Sequence, residues 1–339
     1  MIPFSILDLS PIAEGSDAAT SFQRSLDLAQ HGERWGYNRF WLAEHHGMPG
    51  IASAATSVLI GHVAAGTSRI RVGAGGIMLP NHSPLVIAEQ FGTLEALHPG
   101  RIDLGLGRAP GSDHTTARAL RRNLSSDADE FPQDVVELMD YFAGSTRRPV
   151  QAVPGAGLDV PVWILGSSLF GAQLAAHLGL PYAFASHFAP QMMMQAIAFY
   201  RDNFKPSATL AKPYVITCVN VIAADTDEHA AYLSTSLQQF MLGVITGRPA
   251  PLQPPVDDMA ALWGPAEQHA VQQMLGHAFV GSPATIQADL QEFLAHTQAD
   301  EVMATVNIFD QDARIYSYQL RAESLRALAS QPAAELAVH

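Results

Sequence analysis

Short apolar runs alternate with amphipathic stretches along the chain. The runs have strand length, and the stretches follow the helical period. Phe4-Ser5-Ile6-Leu7-Asp8-Leu9 is the first run, ended by Pro11. Residues 20–35 carry Phe22, Leu26 and Ala29 on one helical face, and Gly36 stops that helix. Phe40-Trp41-Leu42-Ala43 is the second run, followed by a helix at 52–65. A third strand covers 69–79. Ser83 and Pro84 suit the N-cap and first position of the next helix, with Ile87, Phe91 and Leu94 buried. His98-Pro99-Gly100 then breaks into a fourth strand, 101–107, and an amphipathic helix covers 131–142. Further strands fall at 160–165, 182–186, 214–222 and 301–306. Further helices fall at 169–178, 189–203, 226–242, within 259–277, from 283 to 297, and at 313–328.

Strand–helix alternation implies a parallel sheet with helical crossovers, and eight units favour a closed barrel over an open sheet. The expected fold is therefore α/β, a (β/α)8 TIM barrel with insertions, forming a single domain over 1–339. Its main insertion is the seventh crossover, 225–297. The polar stretch 113–130 reads as a surface excursion, 144–159 as a loop or short hairpin, and 247–255 as a proline-rich break.

Composition narrows the function. The 339 residues are 48% hydrophobic, enough for a large core. Net charge is -13, and no basic block exceeds Arg121-Arg122 or Arg147-Arg148. Nucleic-acid binding needs a basic stripe and is set aside. Cys218 is the sole cysteine, which excludes an intramolecular disulfide and a cysteine-rich zinc site. The N-terminus reaches Asp8 without the basic start of a signal peptide, and no run nears the ~20 apolar residues of a membrane span. A cytoplasmic location is expected.

In barrels the carboxyl ends of the strands carry the chemistry. Glu44-His45-His46 follows the second strand directly. Adjacent residues on an extended chain face opposite ways, so the two histidines are poor joint ligands; no HExxH is present and no metal is expected. His45, with Glu44, is the catalytic candidate, because imidazole titrates near neutral pH. Gly73, Gly75 and Gly76 weaken a strand interior, for a bulge or for a backbone that lies flat against a planar ligand. Gly105-Leu106-Gly107-Arg108-Ala109-Pro110-Gly111 has the wrong spacing for a dinucleotide fingerprint, and Pro110 stands where a helix would begin. It leaves Arg108 at a strand end, to fork onto a phosphate or carboxylate or to form a surface ion pair. Gly166-Ser167-Ser168 opens a helix and reads as an anion site, a plain N-cap, or both. With Arg108 it would make one phosphate clamp. His46, Ser186 and His187 are candidate pocket residues, and Met192-Met193-Met194 reads as core packing.

Taken in order, Trp41-Leu42-Ala43-Glu44-His45-His46, residues 72–80, 100–108 and Gly166-Ser167 resemble the bacterial luciferase-like flavin monooxygenases. The non-bioluminescent bacterial branch is the nearest likeness, with Leu-Gly-Arg-Ala-Pro-Gly and Leu-Gly-Ser-Ser together. The similarity is dense from Phe4 to about Asn203, weaker through the seventh crossover, and returns at Gly281-Ser282-Pro283 and Asp300-Glu301. The resemblance implies a barrel that binds FMN as FMNH2, supplied by a separate NAD(P)H-dependent flavin reductase. It implies reaction with O2 to a flavin C4a-hydroperoxide, which hydroxylates or Baeyer–Villiger oxidises a small organic substrate. A homodimer is usual. The family's active-site histidine falls on His45 with Glu44 orienting it. The peptide beneath the flavin falls on Gly75-Gly76, the phosphate arginine on Arg108, and the phosphate serine on Ser167, flanked by Gly166 and Ser168. Gly107 replaces a luciferase cysteine and Gly166 a glutamate, which argues against light emission. No lid residue is carried over. A deazaflavin-dependent hydride-transfer oxidoreductase and a non-catalytic flavin-binding protein are the rival readings.

Overall fold

The computed structural model describes residues 2–108, 116, 119–120, 130–144 and 149–330. Among these are nine strands: β1 (Phe4–Asp8), β2 (Arg39–Leu42), β3 (Arg71–Met78), β4 (Ile102–Gly107), β5 (Val162–Gly166), β6 (Tyr182–Phe184), β7 (Val215–Ala223), β8 (Ala278–Gly281) and β9 (Glu301–Thr305). Helices α1 (Ala18–Trp35), α2 (Thr56–Ala65), α3 (Pro84–Leu97), α4 (Phe131–Phe142), α5 (Leu169–Leu178) and α6 (Met193–Asn203) connect the first seven strands. After β7 come α7 (Asp227–Ile245), α8 (Pro265–Met274), α9 (Pro283–Thr297) and, beyond β9, α10 (Gln311–Ser330). Each strand pairs in parallel with its neighbour from β1 to β7, and β9 joins β7 to β1. The result is a closed eight-stranded parallel barrel with helices between strands, the TIM-barrel fold.

The eight strands expected from the sequence are the eight of the barrel. β8 is an addition: it pairs only with the far end of β7, Asn220–Ala223. It occupies four residues, too few for a period to separate strand from loop. Boundaries shift at several ends. The helix expected from 52 begins at Thr56, and the strand expected to 186 stops at Phe184, leaving Ser186 and His187 in the following loop. A single 3-10 turn, Pro190–Met192, precedes α6. Met193 is buried and Met194 is 41% exposed, so core packing holds for the former and fails for the latter. The stretch expected to be an excursion, 113–130, lies largely outside the described residues.

The buried face of α1 also differs from the expected one. It consists of Ser21, Ser25, Leu28, Ala29 and Gly32, with Phe22 and Leu26 half-buried. The serines face inward because they satisfy the exit of β1. Ser21 Oγ donates to Pro11 O at 2.8 Å, and the Ser25 and Ser10 hydroxyls lie 2.8 Å apart. Buried polar groups with partners pack as well as apolar ones.

The floor of the barrel is polar. Arg39 Nη1 reaches Asp103 Oδ2 at 2.8 Å and its Nε reaches Glu301 Oε1 at 2.9 Å. Arg71 Nη2 holds the other Asp103 oxygen at 2.6 Å, Tyr214 OH donates to Glu301 at 2.9 Å, and Ser5 donates to Glu301 as well. Burial opposes the charge on Arg39, but the two carboxylates outweigh it and raise its pKa. Above this layer Leu7, Trp41, Ala43, Trp163, Ala183, Ile216, Cys218 and Met303 fill the interior. The barrel is thus plugged from below, and chemistry is left to its upper rim.

Candidate active site at the carboxyl rim of the barrel

Just past β2 the Glu44 N–H donates to Gly76 O at 3.1 Å. Glu44 and His46 share a hydrogen bond that His45 does not join. The buried Glu44 carboxylate accepts from the Met78 N–H at 2.9 Å. His46 Nε2 stands 2.7 Å from Oε1, and His82 Nε2 stands 2.9 and 3.0 Å from the two oxygens. An ionised carboxylate only accepts, so both imidazoles donate through Nε2. Glu44 was expected to orient His45; its hydrogen bonds instead go to His46 and His82. His46, expected in the pocket, is turned to this carboxylate. His82 escaped the sequence reading because nothing but its position after β3 marks it.

Burial would raise the Glu44 pKa, yet the hydrogen bonds and charge of His82, with His46 and the Met78 N–H, bring it below its ordinary value of 4.5. A depressed carboxylate pKa adds stability that is present above 4.5 and lost as pH falls through the lower folded value. Glu44→Gln should therefore lower stability at pH 7 by about 1–3 kcal/mol. Melting curves taken from pH 7 to pH 3 check the cause. The gap to wild type should close in acid, and a gap that stays constant excludes the carboxylate's charge as its source.

His45 is half-buried, and its Nδ1 is shielded from solvent without a hydrogen-bond partner. His187, past β6, has the same condition at its own Nδ1. Burial lowers the pKa of His45, against the opposing pull of the Ala43 backbone and the Glu44 charge. Burial first, and then the charge of His45, push His187 down to about 3. Both rings are neutral at neutral pH. Ser186 does not face the mouth: its buried Oγ donates to Cys218 O at 2.6 Å and ties the loop to β7. Asn220, on β7, is a further rim residue that periodicity could not single out, since it sits inside an apolar run. Its Nδ2 donates to His187 O at 2.6 Å.

The glycines of β3 stand where backbones crowd. The Gly75–Gly76 peptide is cis, and the pairing with β4 slips between Ala74 and Ile77. A Cβ on Gly75 would lie 2.9 Å from Leu7 Cδ1 and 3.0 Å from Trp41 Cβ. One on Gly76 would lie 2.8 Å from Gly105 O, and one on Gly105 would overlap Ala74 O. The bulge reading thus describes the strand.

One strand further round, past β4, Arg108 Cζ lies 4.1 Å over the Phe170 ring. Phe170 belongs to the first turn of α5, whose N-cap is Ser168. Ser168 is extended and its side chain makes no capping hydrogen bond. Among the described residues no carboxylate pairs with Arg108. Gly166 and Gly171 let α5 start close against the strand end: a Cβ on Gly166 would lie 3.2 Å from Tyr182 OH and 3.3 Å from Gly171 Cα. Tyr182 OH donates to Ser168 O at 3.2 Å. A guanidinium, a helix N-terminus and the 167–168 hydroxyl segment thus share one corner. Residues 109–111 of the arginine motif lie outside the described residues.

Two surface grooves lie elsewhere. One of about 540 Å³ is lined by Pro3, Arg34, Tyr37 and Arg69 at the amino ends of the strands, and one of about 460 Å³ runs between α4 and α5. Among the described residues no cluster of three or more His, Cys, Asp or Glu could hold a metal ion. None of their helices is long and apolar enough to cross a membrane.

Known proteins share this arrangement of chain. The luciferase-like monooxygenase family matches residues 2–301. A luciferase-like monooxygenase of Escherichia coli K12 is 58% identical over 320 residues, 94% of this chain and 96% of its own. An N-acetyl-S-alkylcysteine monooxygenase of Bacillus subtilis is 41% identical over 196 residues, 55% of this chain and 57% of its own. The crystal structure of apo-MsnO8 superposes with a TM-score of 0.86 at 34% identity, covering 96% of this chain and 99% of that one. With the family spanning nearly all of the barrel, the chain belongs to the luciferase-like monooxygenases.

Proposed function

We propose that this monooxygenase works with FMNH2 delivered by a separate NAD(P)H-dependent reductase, in the cytoplasm, and oxygenates a small organic substrate. The observation that carries the reading is the convergence on one rim of His45, Gly75–Gly76 and the Arg108–α5 corner. They sit at the carboxyl ends of the neighbouring strands β2, β3, β4 and β5. The residues fit the cofactor: a cationic corner for a phosphate, a two-glycine step in β3 where a flat ring can approach the backbone, and a buried imidazole nitrogen that lacks a partner.

Arg108, the N–H groups of the first turn of α5, and Ser167 with Ser168 and Gly166 would hold the phosphate. Gly75 and Gly76 would lie against the ring. His45, neutral at pH 7, would hold or pass a proton at Nδ1. The apolar layer at Trp41 and Trp163 closes the barrel below and keeps water from entering there. Reduced FMN would supply the electrons with which one atom of O2 enters the substrate and the other leaves as water.

The test is turnover with FMNH2 under labelled oxygen. N-acetyl-S-alkylcysteines are the first substrates to try, given the Bacillus subtilis relative, and ketones the second. Label in the product supports the reading. Turnover with reduced deazaflavin under argon, without label under oxygen, would replace it with hydride transfer.

The phosphate corner makes its own prediction. Arg108→Ala should weaken FMN by about 10- to 100-fold, the range of one charged hydrogen-bonding contact, and leave riboflavin unchanged. Fluorescence titration of both ligands decides it. Equal losses for the two would move Arg108 away from the phosphate.

A further inference from the structure

Asn220 stands in register with Thr305 of β9 and is 1% exposed. Its amide orientation is settled by chemistry. The group it faces is a carbonyl, His187 O at 2.6 Å, which only accepts, so the nitrogen must point there. The oxygen is thereby turned the other way. Asn220 Oδ1 is shielded from solvent and has no partner. Buried amide oxygens in folded proteins nearly always find a donor, so an orphan one marks a place for an arriving group.

Two further orphan atoms accompany it, His187 Nδ1 and His45 Nδ1. His187 hangs from the loop after β6, the strand beside β7, close enough that a positive charge on His45 would oppose one on His187. The surroundings are otherwise apolar. Leu9 and Leu165 are half-buried above the interior layer, and the Phe188 ring meets the His187 ring edge-on at 4.8 Å. A donor that reaches Asn220 Oδ1 does so in a dry setting, where a hydrogen bond is strongest.

Resting on the monooxygenase reading, we propose that Asn220 is a specificity-determining residue whose Oδ1, turned away from His187 O by the Nδ2 bond, accepts a hydrogen bond from a ligand N–H or O–H at the barrel mouth. The favoured ligand carries a secondary amide or hydroxyl donor beside an apolar body. A hydrocarbon or simple ketone leaves the oxygen unpaired. The donor has two possible sources, the N3–H edge of the flavin ring or the organic substrate.

Two matched pairs separate them. Wild-type protein is titrated with FMN and N3-methyl-FMN, and by ligand-observed NMR with N-methylacetamide and N,N-dimethylacetamide. Methylation should weaken one pair by about 10-fold, the size of one buried hydrogen bond. Loss in the FMN pair assigns the donor to the flavin, and loss in the amide pair assigns it to the substrate. Asn220→Leu, shown folded by circular dichroism, should bind both members of each pair alike. Wild type that treats both pairs alike overturns the proposal, with no need of the variant. Discrimination that survives in folded Asn220→Leu overturns it too. If FMN itself fails to bind wild type, the flavin reading falls, while the amide pair still judges Asn220 on the cofactor-free protein.

Discussion

His45→Ala should bind FMN nearly as well as wild type while product formed per FMNH2 oxidised falls by about 100-fold or more, the range of a lost general acid–base group. The electrons should appear as hydrogen peroxide instead. Glu44 spends its carboxylate on His46, His82 and the Met78 N–H, so none of those bonds holds His45. Its Nδ1 is buried and unpartnered, and burial keeps the ring neutral near pH 7. A neutral imidazole offers one proton and one lone pair, which suits transfer in either direction. A purely structural histidine would be tied down and would lower stability when removed. Two measurements therefore separate the roles: product yield in a single turnover and the melting temperature. Unchanged yield with a lower melting temperature would remove His45 from the chemistry.

The contrast between His45 and its neighbours shows where the sequence was informative. Alternation along an extended chain separates His45 from His46, and in the structure His46 bonds Glu44 while His45 does not. Strand and helix alternation likewise read through to the closed barrel, because buried parallel strands are continuous apolar runs. The partner of Glu44 was not legible. His82 lies 38 residues away and is brought back only by the turn after β3. Asn220 was hidden for the opposite reason, since a polar residue inside Val215–Ala223 looks like a tolerated exception in a core strand. Ser186 misled because a hydroxyl at a strand end has two uses, and here it bonds Cys218 O. β8 was missed because four residues carry no period. Pattern thus revealed which strand ends form the rim. It did not reveal which polar atoms there remain unpaired, since that depends on contacts made across the barrel.

The floor of the barrel supplies the second large effect. Arg39→Met should destabilise the protein by about 3–5 kcal/mol at pH 7, the usual result of leaving a buried charge without its partner. Asp103 keeps Arg71 at 2.6 Å, so it is not stranded. Glu301 loses its cation and keeps only neutral donors, among them Ser5 and Tyr214 OH at 2.9 Å. In the variant the Glu301 carboxyl, 0% exposed, should gain affinity for a proton. The folded state then binds a proton more readily than the unfolded chain, so the variant gains stability relative to wild type as pH falls toward the carboxylate range. Its melting deficit should be widest near pH 7 and narrower at pH 5, and adding Glu301→Gln should recover part of it at pH 7. The guanidinium also stacks 4.6 Å over the Trp163 ring, which meets the Trp41 ring edge-on at 5.3 Å. Methionine keeps much of that packing. A deficit that ignores both pH and Glu301→Gln would therefore assign the loss to the stack and not to charge. Trp41 leads within four residues to His45, so either cause reaches the rim through the strand that carries the imidazole.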